Sequence, residues 1–314
     1  MTTFSYTITP RLESTIAALD ALRVKFLLTP LTPKTELNLK WESIIDRVYF
    51  SLILSGMKLE RKSIESILSK SILKKPKKLS QDEKTILRYK RAVDIIAHNW
   101  FASEKTLTPE IVLSIYSLIS DGRYKKKNED LHHILEYIQK GTDHPIVQAA
   151  IAYVAIIDLD AFTDDNKRLA GLVSLLLLYK EGFYYRSLIC IEKEWTENKD
   201  EFKEALSDGL SNIHMTTWIE YFASSLARQL GERLIDIENA KQHINMEKNT
   251  IHLNDRQKEI ISLLDEPGSS ITNRKVQKYF EISQITASRD LTQLSVLGLL
   301  IPHGHGRSVY YTRV

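Results

Sequence analysis

The residues best placed to do chemistry lie between Asp158 and Gly182, in the stretch DLDAFTDDNKRLAGLVSLLLLYKEG. Carboxylates at Asp160, Asp164 and Asp165 stand beside Asn166, Lys167 and Arg168, where the pattern changes from a sharp turn (Ala161 to Asn166) to a helix. The helix is expected from about Asn166 to Glu181, with Gly182 as its C′ residue. Its first turn aims backbone N–H groups and the positive end of the dipole outward, a geometry that binds phosphate. Asp165 sits in that first turn and opposes such a use. Unit like charges about 4 Å apart repel by roughly 4 kcal/mol at an effective dielectric near 20. Even half of that weakens an anion's affinity by more than about tenfold. Lys167 offsets part of it.

The elements that position this turn are helical. Leu172 to Leu178, broken only by Ser174, leaves no wide polar face, which predicts a helix in the middle of a bundle. Asp143-His144-Pro145 starts the helix before the turn, which runs through Ile157. Further helices are expected over Pro10 to Leu28, Leu39 to Leu54, Glu60 to Leu73, Ser80 to Ala102 (a capping box with Glu83), Thr108 to Ser120 and Leu131 to Gln139. Two more cover Glu192 to Leu210 and Thr216 to Glu247. Asp121 to Asp130 is polar and lacks strand alternation. The Lys74 to Lys78 run and the KKK of Lys125 to Lys127 read as solvated loops.

Composition places the chain among soluble globular proteins: 314 residues, 43% hydrophobic, 26% charged, net charge +3. The lone Cys190 excludes an intramolecular disulfide framework and fits a reducing compartment, so a cytoplasmic location is expected. The N-terminus lacks a basic segment followed by an apolar one, and Leu169 to Leu178 is too short to span a bilayer. Neither a signal peptide nor a membrane partner is expected. His132-His133 is not a metal pair, because adjacent helical positions do not face each other. His303 and His305 could share a hairpin face but lack a third ligand, so no metal is expected.

The pattern changes after Asn249. An amphipathic helix over Leu253 to Leu264 ends at Glu266-Pro267-Gly268. A short helix (Asn273 to Phe280), a turn and a longer helix (Gln284 to Leu297, stopped by Gly298) follow. Leu299 to Pro302 and Ser308 to Thr312 read as two strands around His303 to Arg307. That order is a winged helix. Ile282, Ala287, Leu291 and Leu294 share one face of the second helix; Gln284, Ser288, Arg289 and Thr292 lie largely on the other. Short polar side chains with one arginine suit a helix lying in the major groove of double-stranded DNA. Ser283 as N-cap aims the helix start at the backbone, Thr286 lies in its first turn, and the wing tip offers His305 and Arg307. From Leu253 to Val314 there are eight Lys/Arg against six Asp/Glu, a net +2. So weak a charge predicts that DNA is bound by a homodimer. A winged helix used for protein contact stays open as the other reading.

Around the central turn the chain resembles the Fic (filamentation induced by cAMP) family, whose signature is HPFxDGNGRxxR. Asp160 to Gly171 occupies that frame, and Phe162, Asp164, Asn166 and Arg168 match it. HPIVQAAIAYVAIIDLD upstream, LLLLYKEGF downstream and Thr217 to Phe222 are also similar to the family, so the likeness covers roughly Pro10 to Leu230. It implies a protein adenylyltransferase fold using ATP and Mg, with a His base, two glycines, an acidic metal ligand and two arginines. Here Asp160 replaces the His, Asp165 and Lys167 the glycines, and Gly171 the second Arg. An aspartate, with an ordinary pKa of about 3.9, is a poor acceptor for a hydroxyl proton. Many members carry an inhibitory pattern (S/T)xxxE(G/N) whose Glu pairs with the second Arg. Ser51 to Gly56 fits that frame with Ser55 in place of Glu, so both ends of that pair are missing. A helix simply ending at Ser55-Gly56 explains the local sequence equally well. Gly122-Arg123-Tyr124-Lys125 matches the start of the family's target-binding hairpin flap, with little room for two strands after it.

The resemblance leaves Asp164, Asn166 and Arg168 as a vestigial nucleotide, metal or anion site. The structural alternative, in which Asp164 caps the helix and Arg168 pairs with Asp165 or Asp164, is preferred, because ion pairs are often only structural. The sequence therefore predicts a mainly α protein. A Fic-type bundle would fill residues 1–248, with N-terminal helices over 1–105, a core over 106–230 and a connecting helix to 248; a winged helix would fill 249–314. Its expected role is a non-enzymatic DNA-binding regulator whose body dimerises or senses a ligand. No cofactor is expected, and ATP and Mg enter only if the body is a residual nucleotidyl transferase acting on a protein hydroxyl. A protein-interaction adaptor using neither site is the third reading.

Overall fold

The computed structural model describes residues 4–31, 33–73, 79–125, 128–140, 143–211, 214–242, 253–264, 269–297, 299–304 and 309–313. The Lys74 to Lys78 run, Lys126 and Lys127, the Glu266 to Gly268 breaker, Gly298, Ser308, His305 and Arg307 lie outside these residues. So does any helix beyond Gln242.

Among the described residues, eleven α-helices form the body. They are α1 (Pro10–Leu28), α2 (Pro33–Leu54), α3 (Arg61–Leu73), α4 (Gln81–Asn99), α5 (Pro109–Ile119), α6 (Asn128–Lys140), α7 (Pro145–Leu159), α8 (Asn166–Lys180), α9 (Ile191–Glu197), α10 (Lys199–Ser211) and α11 (Thr216–Gln242). The C-terminal module has α12 (Asp255–Ser262), β1 (Ile271–Thr272), α13 (Asn273–Phe280), α14 (Gln284–Val296), β2 (Leu300–His303) and β3 (Tyr310–Arg313).

α7 and α8 pack along each other at the centre. α8 also meets α2, α4 and α5, while α7 meets α6, α10 and α11. Both are buried on nearly every side, from Ile146 to Ile156 and from Leu169 to Tyr179, because neither carries a polar face. The exception inside α8, Ser174, donates to the Ala149 carbonyl of α7 at 2.9 Å, and Trp218 of α11 donates to Ala150 at 2.8 Å. A polar group in this core is thus tolerated by bonding a helix carbonyl.

Local signals set the helix ends. Ser80 and Glu83 form a capping box. α8 closes in a Schellman turn: Phe183 N–H donates to Leu178 O at 2.7 Å and Gly182 N–H to Tyr179 O at 3.1 Å, with Gly182 left-handed at φ 76°. Several details differ from the sequence expectation. α2, expected from Leu39, already begins at Pro33, a residue that a helix accepts in its first turn. The segment expected as one helix over Glu192 to Leu210 breaks at Asn198 (φ −108°, ψ 52°) into α9 and α10. α6 begins at Asn128, so part of the polar stretch before Leu131 is helical. Among the described residues the C-terminal sheet has three strands, not two, in the order β1-β3-β2 and antiparallel throughout. β1 has only two residues, too few to leave an alternating pattern.

The module has its own core of Ile260, Leu264, Ile271, Val276, Ala287, Leu291, Leu294 and Leu300. Leu297, at the end of α14, is buried on the body's core, and α14 meets α3 there. Among the described residues, no helix is long and apolar enough to cross a membrane.

Candidate functional site

α7 stops at Asp160, which is left-handed (φ 40°, ψ 44°). The chain then turns through Ala161 to Asp165, and the side-chain amide of Asn166 staples the turn to itself. Asn166 Nδ2 donates to Asp160 Oδ1 at 2.9 Å and to the Phe162 carbonyl at 3.0 Å, while its Oδ1 accepts from Phe162 N–H at 3.2 Å. Phe162 is fully buried between the rings of Tyr116 and Tyr124, with centroids 4.2 and 5.0 Å away. The carboxylate at the position of the family's base is therefore engaged in holding the turn.

Asp164 does not cap α8. It accepts from Tyr116 Oη at 2.6 Å and from Ser120 Oγ at 2.5 Å, both of the α5 end. Burial acts to raise its carboxyl, but the hydrogen bonds from Ser120 and Tyr116, helped by the Arg168 charge, outweigh this and hold it below the usual carboxylate range. Asp165 is the N-cap residue of α8 but makes no capping bond. It adopts φ 61°, the left-handed conformation that favours glycine, and pairs with Arg168. Arg168 is 12% exposed at its side chain, and its Nε and Nη1 are buried without a partner. Lys167 is exposed.

The segment before α6 completes the turn. Arg123 N–H donates to Thr163 Oγ1 at 2.9 Å, Thr163 N–H to Arg123 O at 3.0 Å and Lys125 N–H to Ala161 O at 2.6 Å, so Tyr124 and Phe162 form an antiparallel bridge. The polar stretch expected to be plain loop thus pairs edge-on with the turn. A Cβ at Gly122 would lie 2.1 Å from Tyr116 Oη and 2.4 Å from both Asp164 Oδ1 and Thr163 Oγ1, so any larger residue would have to displace these side-chain oxygens.

The end of α2 holds the second set of sequence-predicted residues. Ser55 Oγ donates to Leu52 O at 2.7 Å, and Gly56 (φ 97°) closes a Schellman turn with Met57 N–H on Leu52 O at 3.1 Å. Ser51 points inward and donates to Glu192 Oε1 at 3.0 Å. Arg47, one turn earlier on α2, donates to the Ile189 carbonyl and sets Nη1 3.8 Å from Glu192 Oε2. A Cβ on Gly171 would lie 3.9 Å from Glu192 Oε1. A buried ion pair therefore lies beside Gly171, with its arginine on α2 and its glutamate on α9. Burial acts to lower the Arg47 guanidinium, but the charge of Glu192 together with the neighbouring Cys190, Tyr179 and Tyr89 outweighs this and raises it. Burial, then Glu192, pushes the Cys190 thiol well up, so Cys190 is a protonated donor to Glu192 (3.4 Å) and not a nucleophile. Sequence reasoning missed Arg47 and Glu192. The available signal was an arginine on the apolar face that carries Ile45, Val48 and Leu52.

In the module, Ser283 caps α14, accepting from Thr286 N–H at 3.2 Å with its hydroxyl 3.0 Å from Thr286 Oγ1. Gln284, Ser288, Arg289 and Thr292 are exposed on one side of α14, while Ala287, Leu291 and Leu294 are buried on the other. Asp290 was missed: it is buried, accepting from Arg256 Nε at 2.6 Å and Gln257 Nε2 at 3.0 Å of α12. Gln257 also donates to Gln293 at 2.9 Å. This clamp fixes α14 to α12 and engages Arg256, one of the eight cations of the module. Ile285, also missed, is 72% exposed in the first turn of α14. His303 lies 2.8 Å from Thr312 Oγ1 and stacks on Tyr310.

Residues 256–314 match the family model of the DeoR-like helix-turn-helix domain. The whole chain is similar in structure to a Fic family protein from Desulfovibrio desulfuricans G20, with a TM-score of 0.61 at 14% identity over 98% of this chain and 97% of that one. The body has the Fic fold. Fic-1 from C. elegans aligns at a TM-score of 0.59 and 18% identity, covering 72% of each chain. A Fic domain containing signaling protein from Bacteroides thetaiotaomicron VPI-5482 aligns at 0.52 and 18%, over 74% of this chain and 98% of that one. No curated protein matches the chain. At these identities the likeness is one of fold, and the chemistry has to be argued from the side chains.

Proposed function

We propose that the protein is a DNA-binding regulator whose Fic-fold body is not a transferase. The observation that carries this reading is the open face of α14 on a DeoR-like helix-turn-helix: Gln284, Ser288, Arg289 and Thr292 are exposed, and the buried side is locked by Asp290. Short polar groups and one arginine on such a face meet base edges and phosphates. Lys275, Lys278 and Arg274 on α13 extend the cationic surface; with so few phosphate contacts the binding form is a homodimer. The proposed partner is double-stranded DNA, and a cytoplasmic location fits that reading. The test is a gel-shift titration against genomic fragments at several salt concentrations. Salt-sensitive retardation that Arg289→Ala and Arg307→Ala weaken is expected; retardation that is absent, or indifferent to both substitutions, overturns the proposal.

A specific feature supports the second reading, a residual nucleotidyl transferase. Arg168 keeps two buried N–H groups without partners, and Asp164 is held toward its ionised form. Against it, Asp160 is engaged by Asn166, and Asp165 lies in the first-turn field where a phosphate would sit. Incubation with labelled ATP, Mg and lysate decides between them. Label transfer that Asp164→Ala abolishes would establish the enzyme and displace the regulator reading of the body.

A further inference from the structure

The open face of α14 has an apolar midline. Ile285, in its first turn, is 72% exposed, more than any other large apolar side chain among the module's described residues. At about 100° per residue, Thr292 and Val296 lie within about 20° of Ile285 around the helix, and Ser288 and Arg289 flank that line. Ala287, Asp290, Leu291 and Leu294, all buried, lie on the opposite side. Ile285 therefore points away from the module's core and adds nothing to it. Branching at Cβ also lowers helix propensity slightly, so neither packing nor propensity accounts for an isoleucine here.

Neighbouring contacts fix its position. Ser283 caps the helix two residues before it, accepting from Thr286 N–H at 3.2 Å. Asn273, which opens α13, donates to the Gln284 carbonyl at 3.4 Å. Further along, Asp290 ties α14 to α12 through Arg256 and Gln257. An isoleucine in a helix has one strongly preferred χ1 rotamer. Its apolar end is thus presented in a set place and has little freedom to lose on contact.

The surroundings decide what can cover it. From Ile271 to Leu297 the cations Arg274, Lys275, Lys278 and Arg289 are all exposed, and the acids are Glu281 and the buried Asp290. An apolar side chain on a cationic surface suits a polyanion that carries apolar groups of its own. B-DNA does so in its major groove, where the C5-methyl of thymine stands between two rows of phosphates. The first turn of a recognition helix is the part that reaches base edges there. A purely apolar protein face would leave the four cations without counter-charges. We propose that Ile285 selects the DNA site by packing on a thymine C5-methyl beneath the start of α14. The inference rests on the DNA reading above and adds to it the base that is recognised.

The test uses the full chain and a pool of random-sequence duplexes, from which rounds of gel shift keep the bound fraction. Retained duplexes are expected to share a thymine at one fixed place in each half-site. Each thymine is then replaced by uracil, which pairs alike and lacks only the methyl. Uracil at that place is expected to weaken binding about fourfold per methyl. Ile285→Ala, at an exposed helical position that alanine favours, is expected to weaken binding of the thymine duplex at least as much and to bind thymine and uracil duplexes equally. Sedimentation of the DNA-free protein is expected to be the same with and without the substitution. Three results would overturn the proposal. They are uracil neutral at every thymine, a thymine preference undiminished in Ile285→Ala, and a substitution that alters self-association of the free protein, which would assign Ile285 to a contact between copies. The first two leave salt-sensitive retardation, and with it the DNA reading, in place. A pool from which nothing is retained at any salt concentration overturns the DNA reading itself, and this inference with it.

Discussion

The body and the C-terminal module use polar side chains in opposite ways. At the central turn, Asp160, Asn166, Asp164 and Asp165 all bond neighbours within the fold, and Arg47 and Glu192 are buried against each other nearby. On α14, Asp290 and Gln293 are turned to α12, while Gln284, Ser288, Arg289 and Thr292 are left to solvent. A polar group already engaged inside the fold has little left for a ligand, whereas an exposed one loses only water when it meets a partner. The contrast predicts that substitutions in the body act on stability, and those on the open face of α14 act on binding.

The largest effect is expected at Arg47. Arg47→Met leaves Glu192 buried without its counter-charge and should destabilise the protein by about 3–5 kcal/mol. Arg47→Met with Glu192→Leu should recover most of that, because an apolar pair of similar volume needs no desolvation. Urea unfolding of both variants measures it. A single substitution costing less than about 1 kcal/mol would mean that the pair does not hold α2 to α9.

Asp290 tests whether the inward group of the module serves the outward ones. Asp290→Ala removes the acceptor of Arg256 and Gln257 and should cost about 2 kcal/mol, since Arg256 is partly exposed and recovers water. DNA affinity should fall with it, as α14 loses its anchor to α12. Full affinity in a destabilised Asp290→Ala would separate the clamp from recognition.

Arg289→Ala should do the reverse. An exposed arginine with no ion pair among the described residues leaves stability within about 0.5 kcal/mol when removed. DNA binding should weaken by about 1–3 kcal/mol, read by gel shift at fixed salt. A loss of stability without a loss of binding would erase the contrast between the two regions.

How much of this was legible in the sequence follows from distance along the chain. The central helix was legible because an apolar run with no polar face has one place to go. Capping at Ser80, Gly182 and Ser283 was legible because each cap is written within a few residues. The bond from Ser51 to Glu192 joins positions 141 apart, and nothing local marks either end. The same holds for Asp290 with Arg256, and for Tyr124 bridging to Phe162 from a stretch that reads as polar loop. Charge counts also mislead at this level. Of the eight cations in the module, Arg256 is held by the buried Asp290 and Lys258 is paired at the surface with Asp255, which leaves fewer unpaired for a phosphate.

The smallest effect concerns Asp164, where the body's inward use of polar groups meets pH. Its carboxyl titrates lower in the folded chain than in the unfolded one, because Ser120, Tyr116 and Arg168 favour the charged form over the opposing effect of burial. Stability from this group is therefore complete above the unfolded pKa and is lost as pH falls through the folded value. Asp164→Asn should cost about 1 kcal/mol at neutral pH, a figure reduced for solvent screening at a partly exposed site. The difference from the parent should shrink as pH drops below about 4, where the parent's carboxyl also becomes neutral. Urea unfolding of both proteins across that range supplies the comparison. If the gap stays constant with pH, the hydroxyls of Tyr116 and Ser120 are holding the turn by packing, and the carboxylate's charge is not what they recognise.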